Sequence, residues 1–463
     1  MAGTGTAVVI GAGMGGLLAA RALSEHYARV VLVDRDRLPE ALSGRRGVPQ
    51  GRQLHVLLAR GREVLEELFP GLTAELAEAG APIVDLHGEV HWYNDGHLMR
   101  RAPSDLRAAG VSRPLLEHTV RGRVTALPGV EVLSGCDVTA LVADEDGTAV
   151  RGVVGVPQGE EAEPFHIASD LVVDAGGRAS RSTRWLAQLG YAAPREDVVR
   201  VDVTYVTRQY EYDPEHLDGM LGALANAVPG NPRAGIAAAV EGGRVAVALS
   251  GMLGVRPPAD HAGMLAFADT LAAPHFARII RSARPVSEPA TMRFPASVRR
   301  RYERLRRFPA GYLVIGDALC SFNPIYGQGM TAASLQALAL RRLIAEHRDS
   351  PRLALRFFHA AARIIDGPWS IAVGNDLRFA EVPGRRSVRV RLINAFVRRL
   401  HVAATRDEVL GAAFIRVLNL VRPPGSLLAP GIVLRVLRGS APRAGSGSVP
   451  GRPDPAHLHS LWW

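Results

Sequence analysis

The chain has 463 residues, of which 47% are hydrophobic and 22% charged, the balance of an ordinary globular protein with one large core or two smaller ones. It carries a net charge of +10 without a single lysine, which excludes every mechanism that needs a catalytic ammonium or a Schiff base. The arginines are dispersed and no nucleic-acid-binding motif appears, so nucleic acid is not an expected partner.

The first elements form a compact unit. Residues 6–10 read as a buried strand, Gly11-Ala12-Gly13-Met14-Gly15-Gly16 as a tight turn into a helix over 17–26, and residues 29–33 as a second strand ending at Asp34. Helical periodicity follows over 55–68 and 73–79, and residues 89–99 are strand-like. A helix over 115–124 leads to strands over 130–133 and 138–143. Residues 150–156 and 163–173 read as a hairpin running into Asp174. The stretch 198–212 alternates as a strand, and 235–240 and 244–250, joined by Glu241-Gly242-Gly243, read as a second hairpin. Helices are expected over 262–272 and 276–284. The arginine run over 299–307 reads as a solvated face. An apolar strand over 312–315 ends on Gly316-Asp317, and a helix starts at Thr331. Mostly helix follows, including an arginine-rich amphipathic stretch over 388–402 expected to dock on its own protein rather than on a membrane. The Gly-, Ser- and Pro-rich residues 439–463 read as a flexible tail. Cys136 and Cys320 are far apart, form no metal-ligand pattern and suit a reducing compartment. With no leader pattern and no apolar run long enough to span a bilayer, a cytoplasmic protein without a transmembrane segment is expected.

Three motifs carry chemistry. In Gly11-x-Gly13-x-x-Gly16, Gly11 permits the turn, Gly13 lets backbone approach a pyrophosphate and Gly16 lets the helix pack on the strand. Asp34, about 20 residues on, stands where an acid receives ribose hydroxyls. The second motif is Asp174-Ala175-Gly176-Gly177-Arg178-Ala179-Ser180. The third is Gly316-Asp317, with Pro324, Gly327 and Gly329 before the helix. Each of the last two, alone, could be an ordinary turn after a strand; the three in this order point to one dinucleotide site.

Together they resemble the class A flavoprotein monooxygenases of the p-hydroxybenzoate hydroxylase fold. More narrowly, Arg46-Gly47-Val48-Pro49-Gln50-x-x-x-x-His55, Tyr205-x-Thr207-Arg208 and Phe322-Asn323-Pro324-x-Tyr326-Gly327-x-Gly329-Met330 are similar to the bacterial FAD-dependent epoxidases of polyether antibiotic pathways. The resemblance runs from Val8 to about Ala333. It implies an α/β chain: a Rossmann-like FAD-binding domain (residues 1–75, 106–185 and 290–345), an inserted, mainly antiparallel substrate domain (76–105 and 186–289) and a helical C-terminal region (346–438). It implies FAD held by Gly11, Gly13, Gly16, Asp34 and Arg35, with Arg46 and Arg113 against it and Asp174 nearby. Asp317 would hold the ribityl chain, and Pro324, Gly327, Gln328, Gly329 and Met330 would lie at the flavin ring. NAD(P)H, used directly or through a separate flavin reductase, would supply electrons, and dioxygen would be the co-substrate, activated as a flavin C4a-hydroperoxide.

Attack by an alkene on that oxygen needs no obligatory protein base. Hydroxylation of a phenol would profit from one, and His55, His91, His97 and Tyr205 are the candidates, His55 foremost. Trp92, Val203, Tyr205 and Phe322 are expected around a hydrophobic unsaturated substrate. Trp92 and Tyr93 point to opposite faces of a strand, so only one can face a pocket. The alternatives are an aromatic hydroxylase of the same fold, a prenyl-chain reductase of the geranylgeranyl reductase type, and a non-catalytic flavin-binding accessory protein. Halogenation is disfavoured by the absence of lysine.

Overall fold

A computed structural model describes residues 4–45, 47, 49–159 and 163–439. The expected flexible tail beyond Gly439 therefore lies outside the described residues, as does Arg46. The core is a five-stranded parallel sheet in which Tyr312–Val314, Leu171–Asp174, Thr6–Ile10, Arg29–Asp34 and Val130–Ser134 are neighbours in that order. Its central strands are apolar on both faces, because helices such as Met14–Leu23 pack on the sheet and so does a three-stranded antiparallel sheet of Cys136–Ala143, Val150–Pro157 and Phe165–Ala168. The Met14–Leu23 helix packs against the long Gly329–His347 helix. All five strands run the same way, so the three motifs and Asp34 emerge along one edge of the sheet.

A second sheet of eight strands stands over that edge. Its centre is the 16-residue strand Glu196–Glu211, paired with Arg244–Gly251 on one side and with Ala290–Arg300 on the other. The Arg233–Val240 and Arg244–Gly251 hairpin continues to Gly222–Ala225, then to Val90–Asn94 and His97–Leu98. Three C-terminal helices, Val388–Ala403, Glu408–Leu418 and Pro430–Gly439, close the far side.

Two expectations need correction, and one strand, Ala290–Arg300, lies where none is expected from the sequence. Residues 163–173 are not one strand. Phe165–Ala168 pairs antiparallel with Val150–Pro157, whereas Leu171–Asp174 joins the parallel sheet. The break falls at Asp170, whose amide donates to Thr6 O while its carboxylate accepts from Thr6 N, both at 2.8 Å. The Ala290–Arg300 strand was hidden by Pro295, which sits where the register with Glu196–Glu211 shifts between Arg200 and Val203; a β-bulge is one of the few sheet positions that tolerates proline. The arginine run is not simply a solvated face: Arg299 is 2% exposed and pairs with Asp366 at 2.7 Å and Glu303 at 3.3 Å.

Candidate active site

One cavity of about 1210 Å³ runs from the glycine turn at Gly11 and Gly13, past Asp317, to the inner face of the large sheet and under the C-terminal helices. At its inner end Gly11 holds a left-handed φ of +96°, and a Cβ there would stand 2.8 Å from Ala175 O. A Cβ on Gly16 would lie 1.7 Å from Gly11 O, so Gly16 serves close packing rather than the cavity wall. Asp34 accepts from Ala12 N at 2.6 Å and pairs with Arg45 at 3.2 Å. Arg45 also meets Glu117 at 2.7 Å, and Glu117 meets Arg113 at 3.1 Å. Asp34, Arg45, Glu117 and Arg113 thus form a buried chain of alternating charge along the wall. Arg45 had no sequence signal separating it from its neighbour Arg46.

Asp174 caps its own turn. Its carboxylate accepts from Gly176 N at 2.7 Å, Ser180 Oγ at 2.6 Å and Tyr312 Oη at 3.2 Å. Burial pushes it upward against those donors. Asp317 differs in kind. Among the described residues its carboxylate accepts no hydrogen bond and forms no ion pair, although it lines the cavity. Burial pushes it up, against the positive charges of Arg113 and Arg178. A partly buried carboxylate that faces a cavity without a protein donor is free to accept from a ligand's hydroxyls. Gly316, at φ +70°, and Gly327, at φ +66°, bracket it with turns that disfavour any side chain. Gly329 and Met330 line the cavity at the N-terminus of the Gly329–His347 helix, whose first-turn amides and dipole favour electron-rich groups. A glycine cradle, an acid, and a lone carboxyl beside a helix N-terminus fit an extended dinucleotide with a polar ring at its end.

Most of the residues singled out from the sequence are gathered here. Gly11, Gly13, Asp34, Arg35, Arg113, Asp174, Asp317, Pro324, Gly327, Gly329 and Met330 line the cavity, as do His55, Trp92, Tyr205 and Phe322. Gln328 does not: its side-chain amide turns away to donate to Leu418 O at 3.0 Å. Val203 is fully buried beside Phe294 and lies outside the lining.

The outer chamber is built on one cross-strand row. Trp92 is opposite Leu224, Leu224 opposite Ile236, Ile236 opposite Ala248 and Ala248 opposite Thr207, and all five line the cavity. The next row holds Gly222 and Ala238. Small side chains in the middle of an apolar wall leave room for a bulky ligand. Trp92 Nε1 donates to Leu86 O at 2.6 Å, while Tyr93 packs into the cluster on the other face. His55 Nδ1 donates to Gln53 O at 2.9 Å, and Gln53 accepts from Thr207 Oγ1 at 2.7 Å. Burial and the nearby Arg113 charge lower His55 to about 4, so at neutral pH it offers a lone pair on Nε2. Tyr205 is buried without a hydrogen-bond partner among the described residues, and burial pushes its phenol well above the usual range, so it keeps its proton. At the roof, His401 Nδ1 donates to Asp95 at 2.7 Å, but its Nε2 is covered and out of reach.

His91, Asp218 and His275 bring ligand atoms within 4.8 Å of one another on the sheet face away from Trp92. Their donors are already engaged. His91 Nε2 meets Leu217 O at 3.2 Å, His275 Nε2 meets Asp218 at 2.9 Å, and Arg278 pairs with the same carboxylate at 2.6 Å. The two rings stack 20° from parallel, so their lone pairs do not converge on one ion.

A parallel sheet with this cradle at its carboxyl edge, and an antiparallel sheet facing it across a ligand-sized cavity, defines a nucleotide-cofactor protein of the α/β FAD-binding fold. Residues 4–350 match the family described as "FAD binding domain", and the chain belongs to that family. It is 36% identical over 429 residues to Protein Rv3254 of Mycobacterium tuberculosis, covering 90% of this chain and 89% of that one. Similar solved structures include a flavoprotein/dehydrogenase from Cytophaga hutchinsonii (15% identity, 94% of this chain and 100% of that one, TM-score 0.67). Another is the p-nitrophenol 4-monooxygenase PnpA from Pseudomonas putida DLL-E4 (16%, 90% and 99%, TM-score 0.61). At these identities the likeness is one of fold. Among the described residues no helix is long and apolar enough to cross a membrane.

Proposed function

We propose that this protein is an FAD-dependent monooxygenase that epoxidises an alkene of a bulky hydrophobic secondary metabolite. Bound FAD, reduced by electrons from NAD(P)H directly or through a flavin reductase, supplies an oxygen atom activated from dioxygen. One oxygen atom goes to the two alkene carbons and the other leaves as water. The chain's own part is to bind, orient and keep dry. Gly11, Gly13 and the Arg45 region receive the diphosphate end, and Asp317 takes hydroxyls of the ribityl chain. The amides at Gly329 and Met330 face the polar edge of the ring. The row from Trp92 to Thr207 holds the substrate against it.

The observation that carries this reading is the pairing of Asp317's unpartnered carboxyl with a chamber walled by Trp92, Leu224, Ile236 and Ala248, in one continuous cavity. That wall suits an apolar chain, and alkene oxygenation asks no proton transfer of it. Incubating the FAD-loaded protein with reduced nicotinamide and a panel of polyenes under heavy-isotope dioxygen tests it. One labelled oxygen atom in the product is expected, and unlabelled product sinks the reading.

A second reading, hydroxylation of a phenol, has one observation in its favour. His55 lines the cavity, and with its Nδ1 fixed by Gln53 its Nε2 keeps a lone pair. A group so placed can accept a phenolic proton.

A further inference from the structure

The Val388–Ala403 helix is the roof of the cavity. At 100° per residue, Val390, Asn394, Val397 and His401 fall on one side, and all four line the cavity. Val388, Leu392, Ala395 and Val402 fall within an arc of about 80° on the opposite side, with Arg399 among them. There Leu392 is 65% and Val388 61% exposed. Helices of a water-soluble surface put polar groups on that side.

The exposure is concentrated. Among the described residues, eight of the twelve exposed large apolar side chains lie between Val388 and Leu437, on this helix and its neighbours. Arginine accompanies them on the roof helix, and the two acids beside Val409, Asp407 and Glu408, are paired with Arg435 and Arg100. The roof helix contains Arg389, Arg391, Arg398 and Arg399 and no acidic residue. Arg391, Arg398, Arg399 and, on the Pro430–Gly439 helix, Arg438 are exposed. Among the described residues these four side chains form no hydrogen bond and no ion pair. Two members of the patch, Ile393 and Leu428, are exposed and also line the cavity, so one opening of the cavity lies at the patch.

We propose that this face seats on an anionic lipid surface. The unpaired arginines lie at the level of the phosphates, and Val388, Leu392 and Leu437 enter the acyl boundary. A lipophilic substrate then passes from the bilayer into the cavity through the mouth bordered by Ile393 and Leu428. The combination of an apolar stripe with arginine in and beside it, and no acid on the helix, is that of a helix lying in a membrane interface, not across it. The inference rests on reading the outer chamber as the substrate site, but its test needs no turnover.

The test is co-sedimentation of the full-length, FAD-loaded protein with vesicles of phosphatidylcholine alone and of phosphatidylcholine mixed with phosphatidylglycerol. Binding to the mixed vesicles and not to the neutral ones is expected, weakening as salt rises. The triple variant Arg391→Gln, Arg398→Gln, Arg399→Gln is expected to bind about a hundred-fold more weakly, at roughly one kcal/mol per arginine near an anionic surface. These residues do not line the cavity, so its flavin absorbance stays that of the wild type. Leu392→Asp is expected to abolish binding. Failure to sediment with mixed vesicles overturns the proposal, as does equal sedimentation with neutral vesicles. It is equally overturned if the wild type is a dimer that Leu392→Asp splits without any vesicle binding, since the face then joins two copies of this chain.

Discussion

The Tyr326 hydroxyl donates a 2.7 Å hydrogen bond to the buried carboxyl of Asp376. Asn323 Nδ2 donates to the same oxygen at 3.1 Å, and Asn375 Nδ2 donates to Tyr326 Oη at 2.8 Å. Asp376 therefore ties down both ends of the Asn323–Tyr326 turn that leads into Gly327, from a helix 50 residues further along the chain. Among the described residues its other oxygen is buried without a partner, and burial pushes the group up from 3.8 to about 7.

That shift has a consequence for stability. In the unfolded chain the carboxyl loses its proton near 3.8 and in the folded protein near 7, so between those values the folded state holds the extra proton. Stability from this group is present at low pH and is lost as pH rises through that window, by on the order of 4 kcal/mol across it. Asp376→Asn removes the titration and keeps an accepting oxygen. Relative to wild type, its melting temperature is expected to rise between pH 5 and pH 8. A difference that does not change with pH would show that Asp376 is ionised throughout.

Glu117 sits between Arg45 and Arg113 with its side chain 6% exposed. Glu117→Ala leaves two guanidinium groups without their shared carboxylate, an expected loss of about 3–5 kcal/mol. Urea denaturation reads this directly, and Glu117→Gln should recover part of it. Equal stability of Glu117→Ala and wild type would mean that water already screens the chain of charges.

His55 separates the two readings of the reaction. If the substrate is an alkene, His55→Gln retains kcat/KM within a few-fold. If it is a phenol, loss of the base costs roughly 10²- to 10⁴-fold. Because burial holds His55 near 4, its stability contribution is complete above about 6.5 and is lost as pH falls towards 4. His55→Gln should therefore be less acid-sensitive than wild type in thermal melts at pH 4.5.

Ala248 stands in the cross-strand row between Ile236 and Thr207. Ala248→Phe fills the chamber without touching the glycine cradle. Flavin content is expected to be unchanged, while kcat/KM for a large substrate falls by roughly ten- to a hundred-fold, the equivalent of about 1–3 kcal/mol of overpacking. Unchanged turnover would place the substrate elsewhere.

The first strand, Thr6–Ile10, and the acid at Asp34 were legible in the sequence because glycine spacing and apolar runs are local signals. So was the choice between Trp92 and Tyr93, up to which one faces inward, because strand alternation allows only one. What escaped is long-range. Nothing near Arg45 says that it, beside Arg46, reaches Asp34 and Glu117. Nothing near Asp376 reveals Tyr326. Pro295 masked a strand because the bulge that tolerates it lies in a partner about 90 residues earlier. The roof helix read as amphipathic, yet one apolar stripe docks on the protein and a second remains outside, a distinction that periodicity alone does not contain.

If Asp317 receives the hydroxyls of a bound FAD as proposed, a flavin titration shows it most directly. Protein freed of flavin is titrated with FAD and followed by flavin fluorescence, for wild type and Asp317→Ala. Wild type is expected to take up one FAD per chain. The variant is expected to bind roughly ten- to a hundred-fold more weakly, the loss of hydrogen bonds to a charged acceptor worth about 1.5–3 kcal/mol. Failure of the wild type to bind FAD, or equally tight binding by Asp317→Ala, would contradict the account.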